Sequence, residues 1–206
     1  MAPILRSWGQ AVHDPFAGPG DRMGRLCDEL GLPFTGTEIE PEFIIDPRVK
    51  EGNSRLADSY PEGRYTIGTS PVFPNGMTDH FHARDGSKRK TYRQAIAAIR
   101  GEDRPLHPDN MGRHGPRQGA LGEERHWAIA WDATRWWPSR VLVNIKDCIL
   151  DKDVYPAVER WLDILVRRGY HCTCHEVGAD GMRFGANGDA RVDYEVVIEA
   201  YWRVTL

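Results

Sequence analysis

Apolar and polar residues alternate with a period of two over Arg191 to Val204, and this stretch anchors the reading of the chain. One face carries Val192, Tyr194, Val196, Ile198, Ala200, Trp202 and Val204; the other carries Asp193, Glu195, Val197, Glu199, Tyr201 and Arg203. The pattern predicts a β-strand with one face on a core and one in water. At ~3.3 Å per residue it would reach ~40 Å, about twice an ordinary strand. The segment Ala200 to Val204 is therefore expected to leave the domain and meet another chain.

Further strands are predicted at His126–Ala133, from Trp127, Ile129 and Trp131, at Arg140–Asp147 and at Tyr170–Val177. A helix starting at Asp151 or Asp153 aligns Val154, Val158, Trp161, Leu162 and Leu165, and Arg167-Arg168-Gly169 closes it. Near the start, Pro3 to Val12 reads as one short helix. Asp21 to Leu30 reads as a second, with Met23, Leu26, Cys27 and Leu30 on one stripe and Gly31 and Pro33 after it.

Between Phe34 and Arg125 the periodicity mostly fails. PEF, DPR, YPEG, SPVFPNG, RPLHPDN and HGPRQG are turn or extended signals. Two islands remain: a strand at Arg64–Thr69, and a capping box at Thr91-x-x-Gln94 that opens a short helix ending at Gly101. The expected fold is α+β: a small mixed or antiparallel sheet covered by one main helix, with a long loop-rich insertion. The segments are 1–34 (helical), 35–125 (an insertion or arm) and 126–206 (the α+β core), in one domain overall.

Composition adds limits. The formal net charge of −3 over 206 residues gives no electrostatic case for a nucleic-acid or membrane surface as main partner. Twenty-one glycines and fourteen prolines agree with much irregular chain. No apolar run is long enough to span a bilayer, and no basic-then-apolar leader suggests export. Cys27, Cys148, Cys172 and Cys174 read as reduced thiols, with a Cys27–Cys148 or intermolecular bridge left open.

Candidate chemistry is sparse. GADGMRFGANG lacks the lysine and helix of a phosphate loop and reads as a hairpin connection. Gly18-x-Gly20 precedes a helix, but no strand is predicted before it, so the dinucleotide-binding reading fails on context. His171, Cys172, Cys174 and His175 point to opposite faces of a strand and cannot converge on one metal ion. Asp79, His80 and His82, with His107 and His114, are the best enzyme-like cluster, yet no second motif joins them. The basic run Arg84, Lys88, Arg89, Lys90 and Arg93 reads as a solvated helix start or a rim against an acidic partner. No catalytic, cofactor or metal residue is assigned, and no cofactor is expected. Seven tryptophans and seven tyrosines suit interfaces. The interface candidates are Trp8, Trp136, Trp137, Glu199, Tyr201, Trp202 and Arg203.

The order of elements in the C-terminal half, closing on DYEVVIEAY, resembles the tail-terminator and neck proteins of tailed bacteriophages. The resemblance implies a non-enzymatic virion protein, assembled in the host cytoplasm, that forms a homo-oligomeric ring, often sixfold. Such a ring contacts other neck and tail proteins and lets DNA pass without specific binding. The alternatives are a metal-dependent hydrolase using His80 and His82, and a phage-encoded binding or inhibitor module.

Overall fold

A computed structural model describes residues 1–72, 106–150, 153–178 and 194–202. Its centre is a seven-stranded sheet built from β1 (Ala11–Asp14), β2 (Phe34–Glu38), β3 (Val49–Glu51), β4 (Tyr65–Thr69), β5 (Arg140–Ile145), β8 (Tyr170–Gly178) and β9 (Tyr194–Trp202). A separate hairpin pairs β6 (Cys148–Leu150) with β7 (Asp153–Tyr155). The sheet order is β3-β2-β1-β4-β5-β9-β8. The first five strands of that order run parallel, and β9 lies antiparallel between β5 and β8.

Among the described residues four helices flank the sheet: α1 (Ala2–Trp8), α2 (Asp21–Leu30), α3 (Ala120–Ala133) and α4 (Ala157–Arg167). Residues of α1 and α2, among them Leu5, Met23 and Cys27, pack with Val12, Phe34, Leu142 and Val197 on one face. On the other face Ile129, Ala130, Trp161, Ile164 and Leu165 of α3 and α4 pack with Ile67, Val141, Val143, Ile145 and Ile198. Val141, Leu142 and Val143 are consecutive and all fully buried, as a strand covered on both sides requires. Trp161 stacks on Trp137 with centroids 5.8 Å apart and meets Trp127 edge-on.

Helix α2 forms where its apolar spacing predicts, and Gly31 closes it in the left-handed conformation at φ 67°. Its N-cap is Gly20 rather than Asp21. The first helix is shorter than expected. It stops at Trp8, Gly9 turns the chain at φ 58°, and Val12 belongs to β1.

The expected fold holds only coarsely: helices pack on one mixed sheet. It is neither small nor covered by a single helix, and its parallel half comes from residues 11–69. Residues 126–133 are helix, not strand, because the buried positions are Gly122, His126, Ile129, Ala130 and Ala133, at helical spacing. The start of the main helix shifts as well, since Asp153–Tyr155 pairs in the hairpin and the helix begins after Pro156. As far as Trp202 the closing strand stays in the sheet, and Val204 lies outside the described residues. Ala200 is fully buried, Tyr201 is paired with both Arg140 and His171, and Trp202 is paired with Tyr170.

Candidate functional site

From β1 the chain runs outward through β2 and β3, then returns to the other side of β1 as β4. In an open sheet this reversal leaves a crevice beyond the carboxyl ends of the two diverging strands, where ligands bind. A cleft of about 580 Å³ lies there, lined by residues that follow β1, β2, β3 and β4, and by Asp109, Asn110 and Met111. That volume suits a small organic ligand.

Each wall follows from local sequence. Asp14 ends β1 and is 5% exposed. Its Oδ1 accepts the Thr69 hydroxyl at 2.6 Å and the Phe16 amide at 3.0 Å, which ties the ends of β1 and β4 together. Burial pushes the Asp14 carboxyl up to about 6, against those two hydrogen bonds. After Phe16, Gly18 and Gly20 take positive φ of 55° and 76°, so the chain turns tightly from strand into α2. A Cβ on Gly20 would also lie 2.3 Å from Val49 Cγ2.

Glu38 ends β2, 7% exposed, and lines the same cleft. Its Oε1 accepts the Glu40 amide at 2.8 Å, and the backbone amides of Gly18 and Ile39 also bond its carboxyl. Burial nevertheless pushes it up to about 7. Arg22 is the cation of the lining, against Asp14, Asp21, Glu38 and Asp109. Asp21 pairs with Arg25, and Asp109 pairs with Arg55 and Arg125. Among the described residues neither Asp14 nor Glu38 forms an ion pair, so negative charge is concentrated on these two.

Strand, glycine turn, helix and an acid twenty residues beyond Gly18 form the pattern of a nucleoside-binding βαβ unit. The sequence reading rejected it because no strand was predicted before Gly18. The strand is Ala11–Asp14, only four residues long, and two of them are the buried polar His13 and Asp14. Glu38 was missed for the same reason, since its meaning depends on β1.

The expected interface residues are scattered. Trp137 is 2% exposed inside the core, donating its indole N–H to the Tyr60 hydroxyl at 3.3 Å. Trp8 is half-buried beneath the Arg140 guanidinium, and Trp136 donates its indole N–H to the Arg55 carbonyl. Glu199 pairs with His175 at 2.8 Å. Tyr201 and Trp202 are half-exposed on β9, and Arg203 lies outside the described residues. So do Asp79, His80, His82, the basic run and the Thr91 capping box. His107 and His114 belong to the segment beside the cleft. Among the described residues no group of three or more metal-ligating side chains converges, and all four cysteines are unbridged. No helix among them is long and apolar enough to cross a membrane.

No family model matches the chain, and no curated protein matches it in sequence. Solved structures resemble it at low identity. TrmN from Thermus thermophilus is 15% identical over 98% of this chain and 48% of its own, with a TM-score of 0.49. A SAM dependent methyltransferase from Archaeoglobus fulgidus is 13% identical over 97% of this chain and 92% of its own, also at 0.49. The magnesium protoporphyrin IX methyltransferase from Synechocystis PCC 6803, solved with bound SAM, is 12% identical over 98% and 78%, at 0.46. The chain spans about half of the first and most of the other two. The tail-terminator resemblance is corrected by the sheet topology, and the expectation of a non-enzymatic virion ring loses its basis with it. The β-β-α-β-β order behind it is broken at its first strand, which is helix α3, and the remainder completes a seven-stranded, mostly parallel sheet. The hydrolase and inhibitor alternatives gain no support.

Proposed function

We propose that the chain is a methyltransferase that binds S-adenosylmethionine in the switch-point cleft. The observation that carries this reading is the charge of the cleft, whose described lining sets four acids against Arg22 around a nucleoside-binding βαβ pattern. A dinucleotide places its diphosphate at the N-terminus of the helix after the glycine turn. Here Asp21 occupies the first helical position, and Asp14 and Glu38 lie buried beside it. An anion entering there meets repulsion in a medium of low dielectric. A nucleoside carrying a sulfonium and an ammonium, and no phosphate, meets attraction.

The residues fit such a ligand. Glu38, fixed by three backbone amides, is placed to accept the two ribose hydroxyls, the role of the acid that ends the second strand in this architecture. The Thr69 and Phe16 bonds to Asp14 both fall on Oδ1, and its carboxylate is placed to hold the ammonium or the sulfonium charge. Ile39 and Met111 give the apolar lining a flat base needs. When bound, the cofactor supplies a methyl carbon made electrophilic by its positive sulfur, and the acceptor's lone pair takes it as the carbon–sulfur bond breaks. The chain contributes orientation and charge: it fixes the ribose, balances the cation and leaves the acceptor to approach from the open side of the carboxyl edge.

Calorimetric titration of the full chain tests this. S-adenosylmethionine is expected to bind, NAD not to bind, and Glu38→Ala to weaken the interaction at least tenfold. Binding of NAD in preference to S-adenosylmethionine would overturn the assignment in favour of hydride transfer.

A further inference from the structure

One wall of the cleft is made by a piece of chain with its own internal bonding. Between Leu106 and His114 the amides of Asn110, Arg113 and His114 bond the carbonyls of His107, Asn110 and Met111. The Arg113 side chain reaches the Leu106 carbonyl, and the His114 ring bonds the Pro108 carbonyl. The segment is therefore a compact cap whose place depends on the groups that tie it to the rest of the fold.

Among the described residues three sets of ties are present. Arg125 and the buried His126 of α3 hold it from behind, through Asp109 and the Met111 carbonyl. Asn53 and Arg55, after β3, reach Asp109 at 2.9 and 2.8 Å. The third tie is Glu40, 2% exposed, whose Oε1 accepts the His107 amide at 2.6 Å and the Asn110 side-chain amide at 3.0 Å. Phe43 packs on Leu106 just beyond it. Glu40 stands two residues after Glu38, so one short loop carries both the acid inside the cleft and the acid that holds the opposite wall.

We propose that Glu40 is a positioning residue for the cofactor. By holding Asn110, and with it Asp109 and Met111, at a fixed distance from Glu38, it sets the width of the slot that receives the nucleoside. The occupant's identity rests on the methyltransferase reading; the tether does not. A buried carboxylate that accepts two N–H donors from one segment is a costly group to keep unless it is fully bonded. Its loss releases the wall, not the sheet.

The test uses the full chain with Glu40→Ala, Glu40→Gln and Glu40→Asp. Hydrogen exchange at the His107 amide reads the tether directly, and calorimetry with S-adenosylmethionine reads the slot. Glu40→Ala is expected to speed exchange at residues 106–114 alone and to weaken binding about tenfold or more. Glu40→Gln, which keeps an acceptor in place, should stay within about threefold of wild type in both. Glu40→Asp keeps the charge but withdraws the oxygen, so it should behave like Glu40→Ala and covers the case where alanine fails to fold. Unchanged exchange at His107 in Glu40→Asp, or freed exchange with wild-type affinity, overturns the proposal. Wild-type protein that binds no S-adenosylmethionine overturns the cofactor reading, while the exchange data still decide the tether.

Discussion

Thr69 and Asp14 are joined across the switch point of the sheet: the threonine hydroxyl donates to Asp14 Oδ1 at 2.6 Å, linking the ends of β1 and β4. This bond favours the ionised carboxylate in a setting where burial disfavours it. Thr69→Val keeps the shape of the side chain and removes the donor. It should push the Asp14 carboxyl further up, cost about 1–2 kcal/mol of stability, and weaken S-adenosylmethionine binding three- to tenfold. Chemical denaturation and calorimetry measure both effects, and a neutral outcome in each would show that the bond has no part in the site.

The two buried acids make cofactor binding depend on pH. Asp14 and Glu38 hold protons up to about 6 and about 7, and only the ionised forms attract a cation. Affinity should therefore rise from pH 5.5 to 8, with protons released on binding. Repeating the titration in buffers of different ionisation enthalpy counts those protons, and Glu38→Gln should flatten the upper part of the rise.

The same groups shape the stability of the free protein. An acid with a raised folded pKa binds more protons folded than unfolded, so its contribution falls as pH rises through the window between the two values. His13 and His126, lowered to about 4 by burial, act in the opposite sense and gain stability from about pH 4 to 6.5. The two effects oppose each other below pH 6.5, and the Glu38 effect continues above it. Its share is a loss of less than about 1 kcal/mol between pH 6.5 and 8. Thermal melts of wild type and Glu38→Gln across that interval should differ in slope, with the variant flatter.

Helix α2 is fastened to the strand edge through Arg48. Its guanidinium bonds Asp46 at 2.7 Å and Asp28 at 2.6 Å and lies over the Phe34 ring. Gly24 makes room for this: a Cβ there would lie 2.3 Å from Asp46 Oδ2 and 2.7 Å from Arg48 Nη2. Gly24→Ala should then cost about 1–3 kcal/mol, although alanine is the better helix former. Urea denaturation that shows stabilisation instead would mean the clamp shifts aside freely.

Trp161 is fully buried among Trp127 and Trp137, and its indole N–H has no hydrogen-bond partner among the described residues. Trp161→Ala should cost about 3–5 kcal/mol. Trp161→Phe loses less, because it also removes an unsatisfied donor. Comparing the midpoints of the two variants separates the volume of the ring from its polar atom.

Legibility in the sequence followed how much of each element's signal lay in large apolar side chains. Strands β4, β5 and β8 and helix α2 carried that signal and were read close to their true bounds. Helix α3 did not: its buried face is Gly122, His126, Ile129, Ala130 and Ala133, so Trp127 and Trp131 dominated the pattern and imposed a false period of two. Strand β2 is FTGTE, where the buried positions include Gly36 and Thr37. A glycine there is needed because a Cβ would lie 2.8 Å from Ala17 and 3.0 Å from Val49. The short, polar β1 and β2 support the candidate site, and the polarity that suits them to a ligand hides them from a search for apolar alternation.

The place of β9 bears on how the molecule is made. It follows every other described strand of this sheet, yet it fills the gap between β5 and β8. During synthesis β5 and β8 would leave the ribosome as two open edges, each with unpaired amides and carbonyls, and neither could close until β9 arrived. A ribosome stalled after Gly178 would thus present a sticky intermediate. Chaperone demand in the cell should fall at the moment the last strand slides home.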